Sequence, residues 1–211
     1  MAIPKAVAVF PVGHYGGSFP LDTVTPLRCH EVRRGQDVLE LTEEQYTVWS
    51  AAHGWPDAAS RRPWTAQRVV EAASGRGVAD PGRVLAQLLA EGLLAQVAPG
   101  HVAERDFARG HRLLPLMLGL GNSPVEPGLY TIGLFGRPVV RVTRPIFALW
   151  EWAHLDANLW EACQTFAHLE RVSGGTDPET TDPMFVLHDL LGTLHLLLAA
   201  NAACVDVASG S

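Results

Sequence analysis

Cationic side chains are scarce: 16 Lys and Arg stand against 22 Asp and Glu, giving a formal net charge of −6 and a pI near 5.8. A chain that mainly grips phosphate backbones carries the opposite balance, so a dominant nucleic-acid role is disfavoured. The imbalance is local, since residues 1–105 hold 10 basic and 11 acidic residues and residues 106–211 hold 6 and 11. Any DNA contact is therefore expected from the first half. Cysteine is also rare. The three present, Cys29, Cys163 and Cys204, are odd in number and form no CxxC pair, which excludes a disulfide framework and points to reduced thiols. Long apolar runs are missing too. The longest, near Leu194 to Val205, is interrupted by His195 and Asn201 and is too short to span a bilayer. The opening MAIPKAVAVFPVGHYGG is broken by prolines and fits a signal peptide poorly. A cytoplasmic protein with no membrane partner is the expectation.

Catalytic and metal motifs are equally lacking. Nine histidines and three cysteines contain no CxxC or HExxH spacing, and Cys29 and His30, being adjacent, would point to opposite faces of a strand. His188 and His195 lie seven residues apart, too far to chelate alone. Ser18 follows Gly16 by two residues, but Pro20 stands where the second glycine of a nucleophile elbow belongs. The Gly16–Gly17 pair has no following Lys and reads as a flexible turn, not a phosphate loop. Glu43 and Glu44 belong to a helix start. No active site, metal or cofactor is expected.

What the chain does have is apolar material (47% of residues against 18% charged) and an internal repeat. Gly35–Gln36–Asp37–Val38–Leu39–Glu40–Leu41–Thr42 resembles Gly136–Arg137–Pro138–Val139–Val140–Arg141–Val142–Thr143, 101 residues later. At the same offset Tyr46 meets Phe147, Trp49 meets Trp150 and His53 meets His154. Asp80–Pro81, Val84–Leu85 and Leu88–Leu89 match Asp182–Pro183, Val186–Leu187 and Leu190–Leu191 at an offset of 102.

Each copy reads as a strand followed by helices. Val38–Leu41 and Val139–Val142 are strand-like runs, and Thr42 and Thr143 stand at helix N-caps. Tyr46, Trp49 and His53 recur on one helical face. A second helix is predicted from Thr65 to about Ala73, with a counterpart over Asn158 to His168, and a third from each Asp–Pro pair. Leu93–Val97 reads as a closing strand in the first copy, whereas in the second copy more helix takes its place. Gly119 to Gly128 reads as loop, and the boundary between copies falls near Gly100 to Gly110. The expected fold is α+β, mainly helical, with two winged-helix-like modules over residues 1–105 and 106–211.

The strand Val38–Leu41, the run from Leu41 to Trp49 and the ending Leu88-Leu89-Ala90-Glu91-Gly92-Leu93-Leu94 resemble the PqqD-like winged-helix module, or RiPP recognition element. That resemblance implies a non-enzymatic module that takes a peptide or protein partner as an added strand beside the third helix. The groove would be formed by the edge of Val38–Leu41, with Val38 and Glu40, and by Arg83 and Gln87 on the facing helix. The second copy would serve as scaffold or homodimer interface. The alternative is a winged-helix transcriptional regulator that binds DNA through the first copy. Arg83 and Gln87 would then face the bases, a thin reading surface, with Arg33, Arg34, Arg61, Arg62, Arg68 and Arg76 on the backbone. Trp49 and Trp150 read as core anchors, while Trp55, Trp64, Trp152 and Trp160 divide between packing of the copies and a partner surface.

Overall fold

The computed structural model describes residues 7–20, 28–55 and 63–208. The chain opens with strand β1 (Ala8–Pro11) and a meander of β2 (His14–Pro20), β3 (Arg28–Arg34) and β4 (Asp37–Leu41). Helices α1 (Glu43–Ala51), α2 (Ala66–Ser74) and α3 (Pro81–Ala90) follow, then β5 (Leu94–Val97). Helix α4 (His101–Gly110) comes next, and it carries the position of the expected boundary. After it come β6 (His111–Pro115) and a second meander of β7 (Leu118–Asn122), β8 (Leu129–Leu134) and β9 (Arg137–Thr143). The chain ends with α5 (Arg144–Trp152), a 3-10 turn, α6 (Leu159–Val172), the short α7 (Pro178–Thr181), α8 (Pro183–Ala199) and β10 (Ala203–Val207).

The expectation of a mainly helical fold of two winged-helix-like modules does not hold. Helix accounts for 46% and strand for 28%, and the strands form four small antiparallel sheets among the described residues. Two sheets are the meanders β2-β3-β4 and β7-β8-β9. The other two are ribbons, because β5 pairs with β1 and β10 with β6 instead of joining a meander. Two of the strands that the sequence does not announce, β2 and β7, each hold two glycines. Gly16–Gly17 lies in β2, and the start of the expected 119–128 loop lies in β7. Both strands carry a bulge, between Tyr15 and Gly17 and between Gly119 and Gly121. A bulge disrupts the period-2 pattern and favours glycine, so such strands look like turns in a sequence.

The helices begin where their caps direct. Thr42 accepts from the Gln45 amide while the Gln45 side chain accepts from the Thr42 amide, a capping box. Thr65, Asp80, Asn158 and Asp182 cap α2, α3, α6 and α8 through their side chains, and Thr143 stands at the cap of α5 without a side-chain bond. Both α3 and α8 end in a Schellman turn. Leu93 N–H donates to Leu88 with Gly92 at φ +69°, and Ala202 N–H donates to Leu197 with Asn201 at φ +52°. The second turn feeds β10, a closing strand that was expected only in the first copy.

Two apolar cores result, and β1 serves both. Val9 packs with Trp49, Trp64, Val69 and Leu88, whereas Phe10 packs with Phe107, Trp150 and Leu194. Successive strand residues face opposite sides, so a ribbon buried on both faces divides its side chains between two cores. β5 does the same, with Leu94 on one side and Val97 on the other. Trp49 and Trp150 are buried, and their indole N–H groups donate to Val12 and Ala202 at 3.2 and 2.7 Å. Among the described residues no helix is long and apolar enough to cross a membrane.

Candidate functional site

β4 is the last strand of its sheet, so one side of its backbone has no strand partner among the described residues. Its hairpin with β3 turns through Gly35 and Gln36. Gly35 has φ +58° at the first central position, as a type II′ turn requires. A Cβ there would also lie 2.8 Å from the Val207 side chain, so glycine is required on two counts. Arg34 and Asp37 close this two-residue turn and exchange hydrogen bonds, and pairs alternate from there. Val38 (opposite Arg33) and Glu40 (opposite Glu31) fall at the non-bonded pairs. Their N–H and C=O groups therefore point away from β3, to the open edge. Leu39 and Leu41 supply the core face, and Val38 is 60% exposed.

Two links set α3 beside this strand. At one end the Arg34 guanidinium donates to the Glu91 carbonyl, just past α3, and lies 3.9 Å from the Asp37 carboxylate at the start of β4. At the other end Arg83 in the first turn of α3 lies 4.0 Å from Glu44, three residues past Leu41. The end of α3 is thus tied to the β3–β4 turn through Arg34, and its first turn to the start of α1 through Glu44. Val84, Leu85 and Leu88 face the core, leaving Arg83 and Gln87 exposed. Neither is idle, since Arg83 also lies 3.9 Å from Asp80 and Gln87 donates to Glu91 at 2.9 Å. The four expected partner residues therefore form two pairs, one on the β4 edge and one on the neighbouring helix.

The corresponding strand of the second meander, β9, is built differently. Leu134 and Arg137 close its two-residue turn, which places Pro138 at the first outward position, where Val38 stands in β4. Proline has no N–H to offer there. The register then slips between Ile132 and Gly133, leaving Val139 as a bulge. A Cβ on Gly133 would sit 2.3 Å from the Arg137 carbonyl, so the bulge depends on that glycine. Arg141 is tied to Glu126 at 2.5 Å. Proline, a bulge and charge are the devices by which sheet edges resist further pairing.

No family model, curated protein or solved structure matches this chain.

The arginines expected to contact a nucleic-acid backbone have other partners. Arg33 lies 3.3 Å from Asp206, Arg68 stands over Trp64, and Arg76 stands over Trp55 and donates to Ser50. Arg61 and Arg62 lie outside the described residues. Of the four remaining tryptophans, Trp64 is buried and Trp160 partly buried, while Trp55 and Trp152 are exposed. Among the described residues no three His, Cys, Asp or Glu side chains converge on a point that could hold a metal. Burial pushes the Cys163 and Cys204 thiols up to about 12, so neither is a thiolate at neutral pH.

Three polar clusters gave no signal in the sequence, because each joins residues from distant elements. Asp206 of β10 is fully buried. It accepts from the Gly35 amide at 2.7 Å and lies 3.3 and 3.6 Å from the guanidinium groups of Arg33 and Arg112. His30 stacks on Tyr46, donates to Glu43 at 2.8 Å, and accepts from the Tyr15 hydroxyl at 3.1 Å. Glu104 of α4 is buried and accepts from Gly100 and His188. The first two brace the sheet that carries β4. The β-branched and aliphatic run Val38–Leu41 is the one local signal of the edge strand itself.

Proposed function

We propose that this protein is a non-enzymatic binding module that takes an extended segment of a peptide or protein partner as a fourth strand on the β4 edge. The observation that carries the reading is the contrast between two edges: β4 presents outward N–H and C=O groups at Val38 and Glu40, and β9 presents a proline and a bulge. An edge left pairable beside one so thoroughly blocked is the arrangement that strand addition uses. The resemblance to peptide-recognition elements supports the same mode, with the exposed Arg83 and Gln87 of α3 as its second contact surface.

Magnitudes bound what the backbone supplies. Two donors and two acceptors at about 1 kcal/mol each give about 4 kcal/mol, near millimolar affinity. Micromolar binding therefore needs side-chain contacts with Val38, Leu39 and the exposed face of α3.

An immobilised array of random 12-residue peptides, probed with the full-length protein and with V38P, tests the reading. Val38 is exposed, and β9 accommodates a proline at the corresponding place, so this variant removes a donor without emptying the core. The expected result is a set of peptides bound by the parent protein and lost with V38P. Equal binding by the two proteins contradicts it. Retardation of random duplex DNA at low salt, fading as salt is raised, would replace strand addition with DNA binding.

A further inference from the structure

The solvent face of the β4 edge carries an electrostatic conflict. Residues directly opposite one another in an antiparallel pair project on the same face, so Glu31 and Glu40 stand side by side. Like charges in that position are destabilising. Neither carboxylate has an ion-pair partner among the described residues. On the far side Glu31 is opposed by Gly17, which offers no side chain at all. Among the described side chains the nearby cations have other partners: Arg33 has Asp206, Arg34 has the Glu91 carbonyl and Asp37, and Arg83 has Asp80 and Glu44. Among the described residues the row Gly17–Glu31–Glu40 therefore ends at a strand edge with two negative charges that have no ion-pair partner.

We infer that the segment added to β4 is cationic, placing a Lys or Arg directly opposite Glu40 and an aliphatic residue directly opposite Val38. This rests on the strand-addition reading and names the chemistry of its ligand. The next strand must set one side chain against Glu40 on the same face as Glu31. A long basic side chain there reaches both carboxylates and completes the row. Two residues along the partner, the side chain opposite Val38 covers an exposed valine and is apolar for that reason.

The same charges argue against a second copy of this chain as the occupant. Its β4, Asp37-Val38-Leu39-Glu40-Leu41, contains two acids and no base. Pairing two such strands adds negative charge to negative charge on a protein whose formal net charge is already −6. Complementarity selects a basic segment from another molecule.

The peptide array separates this inference from the reading beneath it. The probes are the full-length parent, V38P and Glu40→Lys, with sedimentation of each protein alone. The expected peptides carry Lys or Arg two residues from an aliphatic residue. They bind E40K three- to ten-fold more weakly, while peptides with Asp or Glu at that place gain by a similar factor. E40K removes the conflict with Glu31, so its melting temperature is expected to equal or exceed the parent's, and lost binding cannot then be put down to misfolding. Peptides that V38P loses but that show no basic preference, or that ignore E40K, overturn the charge inference and leave strand addition standing. Binding untouched by V38P, or no bound peptides at all, overturns both. A parent dimer that V38P converts to monomer makes the occupant a second copy, which also overturns the inference.

Discussion

Asp206 has no solvent exposure, yet it holds a full complement of partners: two guanidinium groups, the Gly35 amide and its own following amide at Val207. The carboxylate stands on the last strand, and Arg33 and Gly35 belong to the β3–β4 hairpin. It therefore holds the turn that sets the phase of the proposed binding edge. Removing one member of a buried ionic cluster leaves the others uncompensated, at about 3–5 kcal/mol for fully buried pairs. Both arginines here retain some solvent contact, so Asp206→Ala is expected to cost about 2–3 kcal/mol, read as a lower urea midpoint. A midpoint within about 0.5 kcal/mol of the parent would remove Asp206 from this role. In the sequence, Asp206 is an acid in an apolar tail 173 residues from Arg33, and no local pattern announces the pair.

Among the elements, helices were far more legible than strands. Thr42, Thr65, Asp80, Asn158 and Asp182 each mark a helix start because capping is local chemistry between neighbours. Val38–Leu41 is legible as a strand because it is a short β-branched and aliphatic run with Gly35 shortly before it. β2 and β7 were not, since their bulge glycines resemble loop glycines and their pairing lies outside any short window. The end of α8 was missed for a related reason. Asn201, not Gly, takes the left-handed position there, so the stop signal that Gly92 provides for α3 is weaker. That difference is testable. Glycine adopts φ near +52° without a Cβ penalty, so Asn201→Gly is expected to raise stability by about 0.5–1 kcal/mol. A loss of stability in thermal unfolding would mean that the Asn201 side chain has a role beyond its backbone.

Across the whole molecule, the seam between the two cores carries titratable groups that the fold keeps neutral. His195 of α8 donates to the Val9 carbonyl at 2.9 Å and stacks on Phe10, both on the shared strand β1. His53, at the end of α1, donates to the Trp49 carbonyl at 3.2 Å. Burial lowers both pKa values from 6.5 to about 4, and the neighbouring His53 adds to the effect on His195. Above pH 6.5 these groups are neutral whether the chain is folded or not. Between 6.5 and about 4 the unfolded chain takes up protons that the fold refuses, so stability falls with pH, by up to about 1.4 kcal/mol per pH unit for each histidine. His195→Gln is expected to remove about half of that slope, and an unchanged slope in urea midpoints across this window would contradict the assignment. The sequence placed both histidines in apolar surroundings, but their position at one seam depends on β1 being shared, a long-range pairing that periodicity does not report.

Asp206 of β10 holds the β3–β4 turn, β4 has no further strand partner among the described residues, and that edge is the centre of the functional account. The most direct test is amide hydrogen exchange at Val38 and Glu40 in the full-length protein, with and without a peptide taken from the array. The account predicts that both amides exchange at least ten-fold more slowly with peptide present, while the outward positions of β9 do not change. Unchanged exchange at Val38 and Glu40 under saturating peptide, with protection on the exposed face of α3 instead, would contradict strand addition.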